Sequence, residues 1–387
     1  LNKKVLTAAI LATLGGTAHA QSSVTLYGLI DAGISYVNNS KTSTGSDKLF
    51  KYDDGVAQGS RWGLRGTEDL GGGLKAIFVL ENGFNSGNGT LGQGGAMFGR
   101  QAFVGLSKTD VGSLTFGRQY SFTTDYLGGS YSTGGLTAAG NYAYHVNDID
   151  QLTSSRINNA VKFSSANFAG FTFGALYGFS NQAGAFAGAP QTGTTANPVA
   201  GSSRAYSFGA NYAAGPLGIG AAYTDIRFPS QASPAFTTAI FGINTGTIKD
   251  LRSFGIGARY AFGPATLWAL WTNTLLSPIT GSSTMYNAYE FGGKYAFTPA
   301  LSAAAGYTYS RSSGLFAAHW NQVNAVVDYA LSKRTDVYLL GVYEQASGHL
   351  ANGTQVPAQI GSSTSYFNTS GTSDNQVAVR VGIRHKF

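Results

Sequence analysis

The 387-residue chain contains no cysteine, only two methionines and nine prolines, and just 11% charged residues. Without cysteine there can be no disulfide framework and no thiolate metal site, so stability must come from the backbone ladder and packing. Soluble domains carry about 25% charge, so this chain is poorly provided with the surface of an ordinary cytosolic protein. No apolar run beyond the first twenty residues reaches the about 20 residues that a membrane-crossing helix needs. Gly, Ser, Asn or a charge breaks each one within a few positions. Basic runs of the kind that bind nucleic acid are also missing. His-Glu-x-x-His, Gly-x-Ser-x-Gly and phosphate-loop patterns do not occur, which leaves no metal, nucleophile or nucleotide site to anchor an enzyme. No cofactor is expected.

What is abundant is glycine, at 54 residues, together with 22 Tyr and 24 Phe. With Thr and Val these suit pleated, half-buried surfaces. The first twenty residues read as an export signal: Asn2-Lys3-Lys4, then apolar Val5 to Leu14, then Ala18-His19-Ala20 as a small-x-small cleavage site. Residues 21–387 are then expected to form one domain. Loss of Lys3 and Lys4 lowers the net charge from +7 to +5. If the exported domain meets a membrane it must do so as a closed β-barrel, the other fold that satisfies every backbone polar group in lipid.

The recurring unit supports that. In Ser253 to Phe262, Phe254, Ile256, Ala258, Tyr260 and Phe262 share one face, while Ser253, Gly255, Gly257 and Arg259 share the other. The same period of two runs through Tyr206–Tyr212, Tyr289–Phe297, Leu301–Tyr309 and Val323–Leu331, and it is the strand signature. Tyr and Phe gather at strand ends, as in the aromatic girdles of membrane barrels. Seven short connections (69–73, 108–113, 164–170, 213–217, 261–265, 296–300 and 330–335) alternate with eight long ones (39–57, 86–96, 121–153, 182–203, 228–250, 276–284, 313–318 and 348–374). They join sixteen strands. The expected fold is therefore all-β, a 16-stranded antiparallel transmembrane barrel with short periplasmic turns and long external loops. Gln101–Ser107 and Val337–Tyr343 are apolar on both faces, which would suit contact with a neighbouring subunit.

Four segments carry a family resemblance: Val24-Thr25-Leu26-Tyr27-Gly28; Ser60-Arg61-Trp62-Gly63-Leu64-Arg65-Gly66 running into Glu68-Asp69-Leu70-Gly71; Gly117-Arg118-Gln119-Tyr120; and the terminal Val381-Gly382-Ile383-Arg384-His385-Lys386-Phe387. In order and spacing the chain resembles the general diffusion porins of Gram-negative bacteria, in their β-proteobacterial branch. The resemblance implies a homotrimer in contact with outer-membrane lipid and lipopolysaccharide, and a third loop folded into the lumen as a constriction. It also implies that Phe387 belongs to the signal read by the barrel-assembly machinery, and that small hydrophilic solutes and ions diffuse through the pore.

Alternation puts Arg61, Arg65, Arg156 and Lys162 on the polar face of their strands, because an arginine held in mid-membrane lipid costs about 2–4 kcal/mol. The resemblance adds Arg100 and makes Arg61, Arg100 and Arg156 a basic wall opposite the inward loop. A charged ring in a narrow pore selects among ions, so a mild anion preference is expected. Loop 121–153 offers Asp125, Asp148 and Asp150 as acidic residues facing that wall. It lacks the Pro-Glu-Phe-Gly-Gly tip of the enterobacterial branch, so the pattern leaves open which of the three faces the pore. A barrel enzyme would need a converged catalytic set, and a secreted β-sandwich would have no use for the terminal Phe387.

Overall fold

Most strands of this chain sort their side chains by size and polarity onto two faces, and closing the sheet on itself turns one face outward and the other to a lumen. A computed structural model describes residues 23–181, 204–227, 248–278, 281–350, 352–362, 367 and 373–387. The expected export signal, residues 1–20, lies outside the described residues, as do residues 182–203 and 228–247 of two expected loops.

Seventeen strand segments are described. The first half comprises β1 (Ser23–Thr42), β2 (Gly45–Asp54), β3 (Arg61–Gly71), β4 (Leu74–Gly83), β5 (Gln101–Lys108), β6 (Gly112–Tyr120), β7 (Arg156–Ser165) and β8 (Phe171–Phe179). The second comprises β9 (Arg204–Ala214), β10 (Leu217–Arg227), β11 (Ile248–Phe262), β12 (Ala265–Pro278), β13 (Thr284–Ala296), β14 (Leu301–Gly314), β15 (Ala318–Ala330), β16 (Thr335–Gly348) and β17 (Asn375–Lys386). All neighbours are antiparallel, and β1 pairs with β17 to close the ring. The segments make sixteen barrel strands, because β2 and β3 lie end to end along one edge of β1. Ala32 to Thr42 pairs with β2, Ser23 to Leu29 pairs with β3, and residues 55–60 leave the sheet between them.

The expected long connection 39–57 is thereby corrected. It is mostly a hairpin, turning at residues 43–44. Its inner face alternates Leu49, Lys51 and Asp53 against outer Lys48, Phe50 and Tyr52, and this charge made it read as a loop. The seven expected short connections all join consecutive antiparallel strands.

Outward residues are those the alternation assigned. Ile256, Tyr260 and Phe262 are exposed on the outer face, as are Phe291, Tyr295 and Phe297. At the turn end Phe171, Tyr212, Phe262, Phe297 and Tyr329 form one aromatic girdle, where ring edges meet the membrane–water boundary. In β5 the second apolar face is explained by Phe103: it pairs with Val79 on the inner face, while Val104 and Leu106 stand exposed outside. The two walls differ in height. β5 to β8 have 8, 9, 10 and 9 residues, whereas β11 to β16 have 13 to 15.

Candidate functional site: a loop across the lumen

Residues 121–155 leave the top of β6 and fold inward rather than outward. They form short helical turns at Thr123–Gly128, Thr133–Leu136, Gly140–Tyr142 and Val146–Asp148. Glycine on the inner wall makes room for them. A Cβ at Gly174 or Gly209 would strike the Phe122 side chain, and one at Gly220 or Gly257 would strike Tyr131. The small inner residues of β8 to β11 are recesses that receive the aromatic side chains of the loop. Polar contacts then fix the register: Phe122 N–H donates to Ser207 Oγ at 3.0 Å, the Thr123 and Thr224 hydroxyls meet at 2.7 Å, and Ser253 Oγ donates to the Asp150 carbonyl at 2.9 Å.

The far end of the loop reaches the opposite wall. Asn141 donates through its backbone N–H to the Val56 carbonyl and through Nδ2 to the Gly55 carbonyl, both at 2.7 Å. The Tyr142 hydroxyl donates to Asp53 and lies 2.9 Å from Ser35 Oγ. Gly140 holds a positive φ of 52° against the Val56 carbonyl, a position where a side chain would be both strained and blocked. The loop therefore spans the barrel and narrows it.

A buried histidine anchors the middle. His145 Nδ1 lies 2.5 Å from Asp150 Oδ2, and Nε2 lies 2.9 Å from Glu290 Oε2 on β13. Glu290 also accepts from Thr133 Oγ1 at 2.7 Å and from Trp268 Nε1 at 3.1 Å. Burial alone would lower the His145 pKa, but the two carboxylates outweigh it and push it up to about 10. With its pKa raised that far, the ring carries both protons at neutral pH and can donate to both neighbours. Sequence reasoning missed this contact, because Glu290 and His145 are 145 positions apart.

The three acidic candidates separate by position. Asp125 borders the remaining channel and forms an ion pair with Lys162, whose ammonium also donates to the Tyr120 carbonyl at 2.8 Å. Asp150 is buried between His145 and Thr272 Oγ1, which donates to it at 2.7 Å. Asp148 is buried within the loop, accepting from the Thr153 N–H at 3.0 Å and Oγ1 at 2.8 Å. Burial and then Asp150 push the Asp148 pKa up to about 6. Neither of these two carboxylates lines the channel.

Across from the loop, Arg61, Arg100 and Arg156 line one cavity of about 800 Å³ with Asp125. Arg156 and Arg100 flank the Tyr120 ring, with guanidinium carbons 5.0 and 6.0 Å from its centroid. Arg100 Nε donates to Glu81 Oε1 at 2.7 Å, a carboxylate the sequence pattern did not single out. Arg61 Nε donates to the Gly59 carbonyl at 2.9 Å. Arg65 shares the inner face with Arg61 but stands away from that cavity, 5.3 Å over the Tyr27 ring. Phe387 closes the seam: its N–H and carbonyl exchange two 3.0 Å hydrogen bonds with Gly28, and its ring lies where a Gly28 Cβ would be.

A closed barrel with a charged lumen crossed by its own loop is the architecture on which the comparisons with known proteins bear. A profile described as Gram-negative porin matches residues 6–349. The chain belongs to the Gram-negative porin family. It is 32% identical over 428 residues to an outer membrane porin protein of Bordetella pertussis, with both chains covered completely. It is 31% identical over 406 residues to outer membrane porin protein 32 of Delftia acidovorans, again over the full length of both. Among solved structures, an anion-selective porin from Comamonas acidovorans superposes with a TM-score of 0.71 at 27% identity, covering 95% of this chain and all of that one. This porin is accordingly an outer-membrane channel for passive diffusion of small hydrophilic solutes. Its family and fold are those of channels, not of enzymes.

Proposed function

We propose that this porin prefers anions and that Arg61, Arg100 and Arg156 form the selective wall of its constriction, with Asp125 on the facing loop. One observation carries the reading. Among the described residues, six cations (Arg61, Arg100, Arg156, Lys294, Arg384 and Lys386) and three carboxylates (Asp54, Asp125 and Asp328) line the cavity. In a confined lumen an excess of fixed positive charge raises the local anion concentration and the barrier to cations. The anion selectivity of the Comamonas porin agrees with this.

The test is the zero-current potential across a planar bilayer under a KCl gradient. The native channel is expected to favour chloride, and joint replacement of Arg61, Arg100 and Arg156 by alanine is expected to move the potential toward potassium. A native channel that favours potassium would overturn the reading. No catalysis belongs to it: the histidine–carboxylate contact at His145 is closed between loop and wall. Three copies are proposed to assemble in the membrane, seated among lipid and lipopolysaccharide. Residues 1–20 are proposed to be removed on export, and Phe387 to be the residue read by the assembly machinery.

A further inference from the structure

The outer wall of β9 to β15 is charged at one end only. Near the turns its outward positions are apolar or aromatic, as at Tyr212, Ile219, Phe262, Leu267 and Tyr295. Among the described residues, every charged side chain on that face lies at the loop end: Arg204 on β9, Asp225 and Arg227 on β10, Asp250 and Arg252 on β11, and Arg311 on β14. Alternation fixes their direction. Arg204 shares its face with exposed Phe208 and Tyr212, Arg227 with exposed Ile219, and Arg252 with exposed Ile256 and Tyr260. Arg252 and Phe262 stand at opposite ends of the apolar stretch of β11. That stretch is about 34 Å of strand and, at the usual tilt, about 25 Å of height, which matches the apolar band of a membrane barrel. The arginines therefore stand where the outer leaflet ends in headgroups.

The group is built, not scattered. Arg204 and Arg227 are directly opposite each other across β9 and β10, and Asp225 is opposite Arg252 across β10 and β11. The Arg204 guanidinium carbon lies 5.2 Å from the Tyr206 ring centroid. Tyr206 and Tyr223 stack with centroids 6.2 Å apart, and their hydroxyls donate to Asp225 Oδ2 at 2.9 and 3.3 Å. Arg227 is set between two carboxylates, 3.5 Å from Asp225 Oδ1 and 3.9 Å from Asp250 Oδ2. Arg252 Nε has no hydrogen-bond partner among the described residues. Like charges facing each other on one sheet face repel, yet here two guanidiniums do so with a third close by. A phosphate seated among them would turn that repulsion into forked, charge-assisted hydrogen bonds. Asp225 has one oxygen on the tyrosines and the other against Arg227, so it is not offered to a bridging divalent cation.

We propose that Arg204, Arg227 and Arg252 form a direct binding site for the phosphate of a glycolipid headgroup in the outer leaflet, with lipid A of lipopolysaccharide as the occupant. The inference rests on the seating among lipopolysaccharide proposed above and adds the place and the chemistry. Below the arginines, Tyr223 faces Phe254, whose ring meets that of Trp271 at 5.1 Å, and these rings give the acyl chains an apolar wall. A soluble phosphate has no route of approach here, because this face opens to lipid and not to the lumen.

Titration of bisphosphoryl lipid A into the folded, detergent-solubilised protein in EDTA, read by native mass spectrometry, tests this. The native protein is expected to hold lipid A without magnesium. R204Q/R252Q should weaken the binding about 25-fold, near fivefold for each arginine removed from an anionic surface. Monophosphoryl lipid A should bind the native protein more weakly, and phosphatidylglycerol should compete poorly. Single-channel conductance of the double variant in KCl should equal the native value, since both arginines stand outside the lumen. Should that variant fail to fold, R252Q alone should cost about fivefold in affinity. Lipid A bound equally by native and variant protein overturns the site. So does binding that is lost in EDTA and restored by magnesium, or displacement by phosphatidylglycerol at equal concentration. Failure of the underlying reading looks different: the native protein would then take up no lipid A with or without magnesium.

Discussion

Both nitrogens of the His145 ring face carboxylates inside a site closed to water, and this determines which of its forms the folded protein stabilises. The imidazolium is held well above its ordinary pKa of about 6.5, at about 10. Its contribution to loop anchoring is therefore complete below pH 6.5 and fades as pH rises through 10. Open-channel current noise in the native protein should stay flat through neutral pH and grow near pH 10. His145→Gln should be noisy at every pH, because removing one member of a buried ionic contact leaves the carboxylates uncompensated, a loss of about 3–5 kcal/mol. Equal noise in both proteins at pH 7 would show that the histidine does not anchor the loop. At this scale the sequence was legible wherever alternation or motif placed a charge inward: Arg61, Arg65 and Lys162 lie on the inner face. It was silent on partners distant in the chain, such as Glu290 for His145 and Glu81 for Arg100. A local pattern tells which way a side chain points but not what it will meet.

Between elements, the fit of the loop to the wall depends on glycine at chosen inner positions. Gly257→Val would place a branched side chain where Tyr131 sits, an overpacking that costs about 1–3 kcal/mol in a filled interior. The expected outcome is a loop displaced toward the lumen and a changed single-channel conductance, with the barrel otherwise folded. Conductance equal to the native value would mean that Tyr131 does not seat in that recess. The strands themselves were readable because lipid outside and small residues inside give a strict period of two. β2 escaped because its inner face carries Lys51 and Asp53, so polar and apolar positions no longer sort as in its neighbours. The helical turns of the loop escaped as well: they are short, rich in glycine, and held by tertiary contacts rather than by any run of helix formers.

At the scale of the whole molecule, the exported form is predicted to begin at Gln21, which intact mass measurement of the membrane-purified protein would check; a mass that includes residues 1–20 would refute the cleavage. Deletion of Phe387 removes both hydrogen bonds to Gly28 and the ring that packs there. It should lower the yield of folded, detergent-resistant barrel far more than Phe387→Tyr, which keeps the backbone and an aromatic ring. Comparable yields from the two variants would show that the terminal residue is dispensable.

The seam joins the two ends of the chain, with Arg380 reaching Asp31 across 349 positions. Such a ring cannot close before β17 has been made, since β17 supplies the partner that one edge of β1 lacks until then. Every earlier stage presents two raw edges of unpaired N–H and carbonyl groups, ready to join any neighbouring chain. A chain closed in this way keeps its edges open until β17 pairs, and a prematurely terminated copy is a hazard rather than a smaller pore.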